Sequence, residues 1–294
     1  MNSELVVVGL TVARVMAYAG YVLLAGMFSF WSLVWPEGRG ERKLVVLVVA
    51  GIALLLVSTL GAPAVRMLIG GERTGDIFSP LGGAAMMVQL AALAATAFFL
   101  VDIVRQPIMG WRRVVALALV VVLAATMVAQ SDAVAGPWEG LKIIAAAAHI
   151  LATAPWLGGL VALAAVLIPR SNLQELDRLV PGFSVIVNVS VVILVLTGVA
   201  HALAAAGGFS PLVDSRYGLV LLVKIFIFLA MLVLGNLGRR YAARVAFQRM
   251  HYPADMLRTN NTGAHSLAKV LVAELAIAFV ILSTTSLLVL VAPH

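Results

Sequence analysis

Eight long apolar runs, separated by short connections that carry most of the charge, divide the chain at roughly residues 5–35, 44–62, 83–104, 113–130, 140–168, 183–206, 216–236 and 267–291. Each is near or above the roughly 20 residues that a helix needs to cross the hydrocarbon core of a bilayer. This decides most of the fold. An unpaired backbone N–H or C=O is costly in lipid, and an uninterrupted apolar run satisfies its own backbone only as a helix. Outer-membrane barrel strands read instead as about ten-residue segments alternating between apolar and polar, which these runs do not. Composition agrees: 63% of residues are hydrophobic and 11% charged, against about 25% charged in ordinary globular chains, and mean hydropathy is +1.08. The expected fold is all-α, a polytopic membrane helical bundle of about eight transmembrane helices forming a single integral membrane domain over residues 1–294.

The formal charge of +7 would point to nucleic acid in a soluble protein. Here the basic residues sit in short connections, where they read as topology signals and contacts with anionic lipid, and no nucleic-acid partner is expected. The first, third, fifth and seventh connections carry Arg39, Arg42, Lys43, Arg105, Arg112, Arg113, Arg170, Arg178, Arg239, Arg240, Arg244, Arg249, Arg258 and Lys269, fourteen in all; the even connections and helix entries carry four, Arg66, Arg73, Lys142 and Arg216. The excess places the odd connections in the cytoplasm and both termini outside. The N-terminal MNSE lacks the basic n-region of a secretory signal, so the first run reads as a retained span. The longest connection, about 237–266, reads either as a solvated basic loop or, in its first half, as a basic amphipathic helix on the inner leaflet. SPLGGAAMMVQ (Ser79 to Gln89) resembles DSRYGLVLLVK (Asp214 to Lys224), and an offset of 135 also aligns Arg14 with His149, which raises a 4+4 parallel repeat.

Cysteine is absent, which removes disulfides, thiolate ligands, iron–sulfur clusters and a cysteine nucleophile. Any soft-metal chemistry then falls to His and Met. Titratable or strongly polar side chains at membrane depth are costly and hence functional candidates; Arg14, Gln89, His149, Asn188, His201, Lys224 and Glu274 lie inside the spans. With the N-terminus outside, Arg14 lies roughly 13 Å below the outer end of its helix at 1.5 Å per residue. His149 and Lys224 fall at similar depth and His201 nearer the outside. Met16, Met86, Met87 and Met127 also map to the outer half. Thioethers with imidazoles and no thiolate are the ligand set expected for Cu(I), with Cu(II) favouring the imidazoles; each Met alone reads equally as core filler. Asp76, Asp132, Glu139, Asp214 and His294 on the outside read as solvated residues that could also gather a cation.

The stretch HILATAPWLGGL, from His149 to Leu160, sets an imidazole, a proline and two glycines inside a long apolar run. His149 reads either as an interhelical hydrogen-bonding residue or as a ligand. Gly158 and Gly159 allow a neighbouring helix to approach closely, and Pro155 frees a backbone carbonyl near Leu151 as a hinge or ligand. The spacing of His149, Trp156, Gly158 and Gly159 resembles a signature of the copper resistance protein D (CopD) family of bacterial inner-membrane proteins. FSVIVNVSVVILVLTG (Phe183 to Gly198) is similar to that family's Phe-Ser opening and Thr-Gly close of the next helix, and RYGLVLLVK supplies its Tyr-Gly and in-membrane Lys as Tyr217, Gly218 and Lys224. The early RVMAYAGYVLLAG is similar to the family's first helix. The specific part of the resemblance covers about 149–224. It implies copper handling in the bacterial inner membrane, usually import, with a separate periplasmic copper carrier of the CopC type as partner.

Three functions follow. In the first, His149 and His201 on adjacent helices bind a copper ion, Cu(I) or Cu(II), entering from the outside, with help from Met16, Met86, Met87 or Met127. In the second, the two histidines are axial ligands of a haem in a redox protein. In the third, Arg14 and Lys224 carry an anionic group. A nucleotide-binding G-x-x-x-x-G-K-[ST] loop is missing from the sequence, so the first reading expects transport that is passive or coupled to an ion gradient or a partner, and no enzyme.

Overall fold

The computed structural model describes residues 2–71, 75, 80–106, 108–131, 138–167, 173–206, 216–251, 273, 276, 277 and 280. Seven helices among them are long and apolar enough to cross a membrane. They are α1 (Asn2–Leu33), α2 (Arg42–Leu68), α3 (Pro80–Arg105), α4 (Trp111–Ala129), α5 (Glu139–Ala162), α6 (Leu173–Ala206) and α7 (Arg216–His251). No strand occurs among the described residues. The all-helical membrane bundle read from the apolar runs is thus what forms. Of the eighth expected span only 273, 276, 277 and 280 are described. Glu274, His265, His294, Asp76, Asp132 and Asp214 lie outside the described residues, and the second half of the repeat reaches outside them too.

Three boundaries differ from expectation. α2 runs through Pro63 to Leu68 and α6 through Pro181 from Leu173. Proline is tolerated inside spanning helices because neighbouring groups re-satisfy the freed carbonyl. α7 continues unbroken to His251, so the first part of the expected 237–266 connection is helix. At 1.5 Å per residue its 36 residues reach about 54 Å, well beyond a hydrocarbon core of about 30 Å.

Helix α1 is the centre of the bundle. From Gly20 to Ser32 nearly every side chain is buried, including Tyr21, Phe28, Phe30 and Trp31, whereas Leu5, Val8 and Val12 near its start are exposed. It packs chiefly on α2 and α5, and also on α4. The reason lies in its glycines. A Cβ on Gly20 would stand 2.9 Å from the Gly51 carbonyl oxygen of α2, and one on Gly158 of α5 would stand 2.7 Å from the Val22 carbonyl oxygen and collide with Gly26. Backbones meet where side chains are missing, the usual way for helices to gain contact when lipid supplies no hydrophobic drive. Tyr21 Oη donates to the Val120 carbonyl of α4 at 3.1 Å. Edge-on rings then tie in more helices, Phe28 with Phe99 of α3 at 6.4 Å and Phe30 with Phe183 of α6 at 6.3 Å.

The connections sort by end. Lys43 at the start of α2 donates to the Ala165 carbonyl just past α5 at 3.1 Å, and Arg178 of α6 pairs with Glu37 at 3.2 Å. The short 3-10 helix Pro36–Gly40 also packs against α3. The first, third and fifth connections therefore share one end of the bundle, here termed the basic end. The many exposed apolar side chains, such as Phe98 at 85% and Phe226 at 74% exposure, are what a lipid-facing surface requires and would be a liability in water.

Candidate metal site

Helix periodicity explains the spacing in HILATAPWLGGL. Positions seven apart share a face, so Lys142, His149 and Trp156 form one stripe along α5. The Trp156 ring meets Phe228 of α7 edge-on, with centroids 5.7 Å apart. Gly158 lies on the opposite side, against Gly26 of α1, and Gly159 lies against the Phe183 ring of α6. The two adjacent glycines thus serve two different neighbours, while the histidine stripe is left to face α6 and α7.

His149 is held by α6. Its Nδ1 lies 2.9 Å from Thr197 Oγ1, and that hydroxyl donates to the Ile193 carbonyl at 2.7 Å. With the threonine proton on that carbonyl, Oγ1 would accept from the ring, and the proton of a neutral imidazole would then sit on Nδ1 with the lone pair on Nε2. Fixing the tautomer through the other nitrogen is how proteins prepare a histidine to bind a metal. Gly198 adjoins the same ring; a Cβ there would stand 4.0 Å from Cε1, an ordinary contact. Thr153 donates to the His149 carbonyl at 2.7 Å.

His201 is one turn past Thr197 on α6, about 6 Å further from the basic end. It lies within electrostatic reach of His149, and Lys224 acts on both rings, with Lys142 acting on His201. Lys224 stands one turn before Phe228 on α7, hence on the face that meets α5. The fold therefore gathers His149, His201 and Lys224 from three helices into one polar file, in the half of the bundle remote from the basic end. The Trp156–Phe228 contact closes that file toward the basic end, and Met231, on the Lys224 stripe, is buried beyond it at 2% exposure.

The other candidates lie elsewhere. Met16 is on the stripe of α1 that carries Gly9 and Gly20, which face α2. Arg14 and Met127 stand seven residues along α1 and α4 from the Tyr21–Val120 contact, on the stripes that carry it. Arg14 Nη1 is buried without a hydrogen-bond partner among the described residues, with Tyr18 in electrostatic reach. Gln89 of α3 accepts from Gln130 Nε2 at the end of α4, and Met86, three residues before it, is also buried. Met87 is 59% exposed, and Asn188 is exposed on α6. Helix α5 and its glycine contact with α1 thus stand between the histidines and Met16 and Met127, while Met86 keeps to the α3–α4 side. Among the described residues no three His, Asp or Glu side chains are grouped as a metal site. The side chain of Tyr217 lies outside those described.

Thr197 escaped the sequence reading as a functional residue. Its signal was present in the Thr-Gly close of the sixth helix, but which residue that threonine meets is a matter of packing between helices.

With the geometry in place, the chain can be compared with known proteins. The family model for copper resistance protein D matches residues 177–288, a stretch that includes most of α6 and all of α7. Copper resistance protein D of Pseudomonas syringae pv. tomato is 28% identical over 192 residues, covering 63% of this chain and 62% of its own length. The chain thus spans less than two thirds of that curated relative. No solved structure matches.

Proposed function

Since these matches support placing the chain in the copper resistance protein D family, we propose that it handles copper in the bacterial inner membrane, with His149 and His201 holding the ion on its way in from the outside. The observation that carries this reading is the contact between His149 Nδ1 and Thr197 Oγ1. With Nδ1 engaged by Thr197, Nε2 is the ring nitrogen left to meet an ion, in the half of the bundle where His201 also stands. Two imidazoles suit Cu(II), and they suit Cu(I) as well because that ion accepts low coordination numbers.

Lys224 then has a clear part. Its charge opposes a cation resting at the two rings, and conduction requires binding weak enough to release as well as tight enough to capture. The Trp156–Phe228 contact supplies an apolar barrier toward the basic end, taken as cytoplasmic. Delivery by a periplasmic carrier of the CopC type fits the same direction, and nothing in the site calls for an enzymatic step. The thioethers, separated from the rings, are assigned to packing.

Copper accumulation in cells expressing wild type or the His149→Ala, His201→Ala pair tests this: the pair is expected to accumulate less, and equal accumulation removes the assignment. An optical spectrum of the purified protein separates copper from haem, since a Soret band would make the histidines axial ligands. A Lys224→Ala variant that abolishes function while His149→Ala preserves it would turn the reading to an anionic cargo.

A further inference from the structure

At the basic end, the start of α2 and the end of α5 enclose an open cleft of about 450 Å³ lined by Arg42, Lys43, Val46, Leu47 and Ala165. Its two kinds of surface are separated. Arg42 and Lys43 stand at the rim, in the first turn of α2, and the floor is apolar. Lys43 is anchored by its bond to the Ala165 carbonyl, which lies in the π-helical turn Leu163–Leu167 that continues α5. An ammonium group has three donors, of which this bond uses one. The nearby Glu37 is engaged by Arg178.

Below the rim the apolar floor runs on down the outside of the bundle. Val46, Val49, Leu56, Val57 and Leu60 of α2 are exposed at 56%, 52%, 39%, 54% and 51%, and their spacing keeps them on one face. Two cations at the head of an exposed apolar track, at the level where a spanning helix begins, match a molecule with an anionic head and a hydrocarbon tail. The positive end of the α2 dipole adds to the same attraction.

We propose that this cleft binds an anionic phospholipid, its phosphodiester between Arg42 and Lys43 and the start of an acyl chain along Val46, Leu47 and Ala165. The lipid would thereby bridge the first and fifth connections, beside the existing link from Lys43 to Ala165.

Native mass spectrometry of the full-length protein, purified with phosphatidylglycerol and phosphatidylcholine in equal amounts, tests the site. Wild type is expected to retain phosphatidylglycerol preferentially, and Arg42→Gln with Lys43→Gln to lose that preference by roughly tenfold or more. Arg105→Gln with Arg113→Gln, which removes the same charge from the same end outside the cleft, should keep it. Val46→Trp, which fills the cleft and leaves both cations, should lose it, and this arm holds even if neutralising Lys43 disturbs the α2–α5 contact. Equal retention of the two lipids by wild type would overturn the proposal. So would equal loss in the cleft and control pairs, or retention undiminished in Val46→Trp. Displacement of the bound lipid by millimolar inorganic phosphate would show a site for a free anion and would equally overturn it.

Discussion

Toward α1, helix α5 presents Ala154 and Gly158, and the two backbones approach so closely that a Cβ on Gly158 would run into Gly26. Toward α6 and α7 the same helix presents His149 and Trp156, with a threonine hydroxyl, a second imidazole and an ammonium group facing them. One side is dry, tight and without polar side chains of its own. The other carries polar groups, of which His149 is hydrogen-bonded to Thr197. A single helix thus separates the part of the protein that fixes the bundle from the part proposed to meet an ion. The reason is angular: positions 149 and 158, nine apart, fall on opposite sides of a helix with 3.6 residues per turn.

The largest expected effect tests the dry side. Gly158→Leu should cost about 3 kcal/mol or more, since backbone atoms cannot yield as a flexible side chain can. It should appear as loss of monodisperse protein and a lowered unfolding temperature in detergent. Gly198→Ala, on the polar side, should fold as wild type does. If Gly158→Leu is as stable as wild type, the close approach of α1 and α5 is wrong.

Next, His149→Ala with His201→Ala should leave the unfolding temperature nearly unchanged while abolishing copper binding in a titration of the purified protein. A matched loss of stability would mean that these rings belong to the packing. Thr197→Val is smaller still. Without its hydroxyl partner the ring loses its fixed orientation, and copper affinity should fall about tenfold, as is typical when a partner of a ligand is removed; Thr197→Ser should restore it. Smallest of all, Met127→Leu and Met16→Leu should change copper affinity by less than about twofold, being volume-conserving swaps on the far side of α5. A cost as large as that of His149→Ala would erase the distinction between the two sides.

Much of this was legible beforehand, residue by residue. The helices were, because apolar length leaves the backbone no alternative in lipid, and so was the candidacy of His149, His201 and Lys224, because polar side chains at depth stand out. Met16, Met86, Met87 and Met127 were noticed because they share a depth with the histidines, but depth is only one coordinate, and their helix stripes had to come from the structure. The continuation of α7 to His251 was one of two open readings, since a basic segment outside the bilayer reads as well for a loop as for a helix.

By itself the sequence determined that the chain crosses a membrane as helices, which connections share an end, and how deep each polar residue lies, since hydropathy and the rise per residue fix position along the membrane normal. Only the tertiary structure decided which residues meet. Contact depends on the rotation of each helix about its axis, and that is set by where glycines let backbones close, at Gly20 with Gly51 and at Gly26 with Gly158. Those two approaches turn His149 away from α1 and toward Thr197.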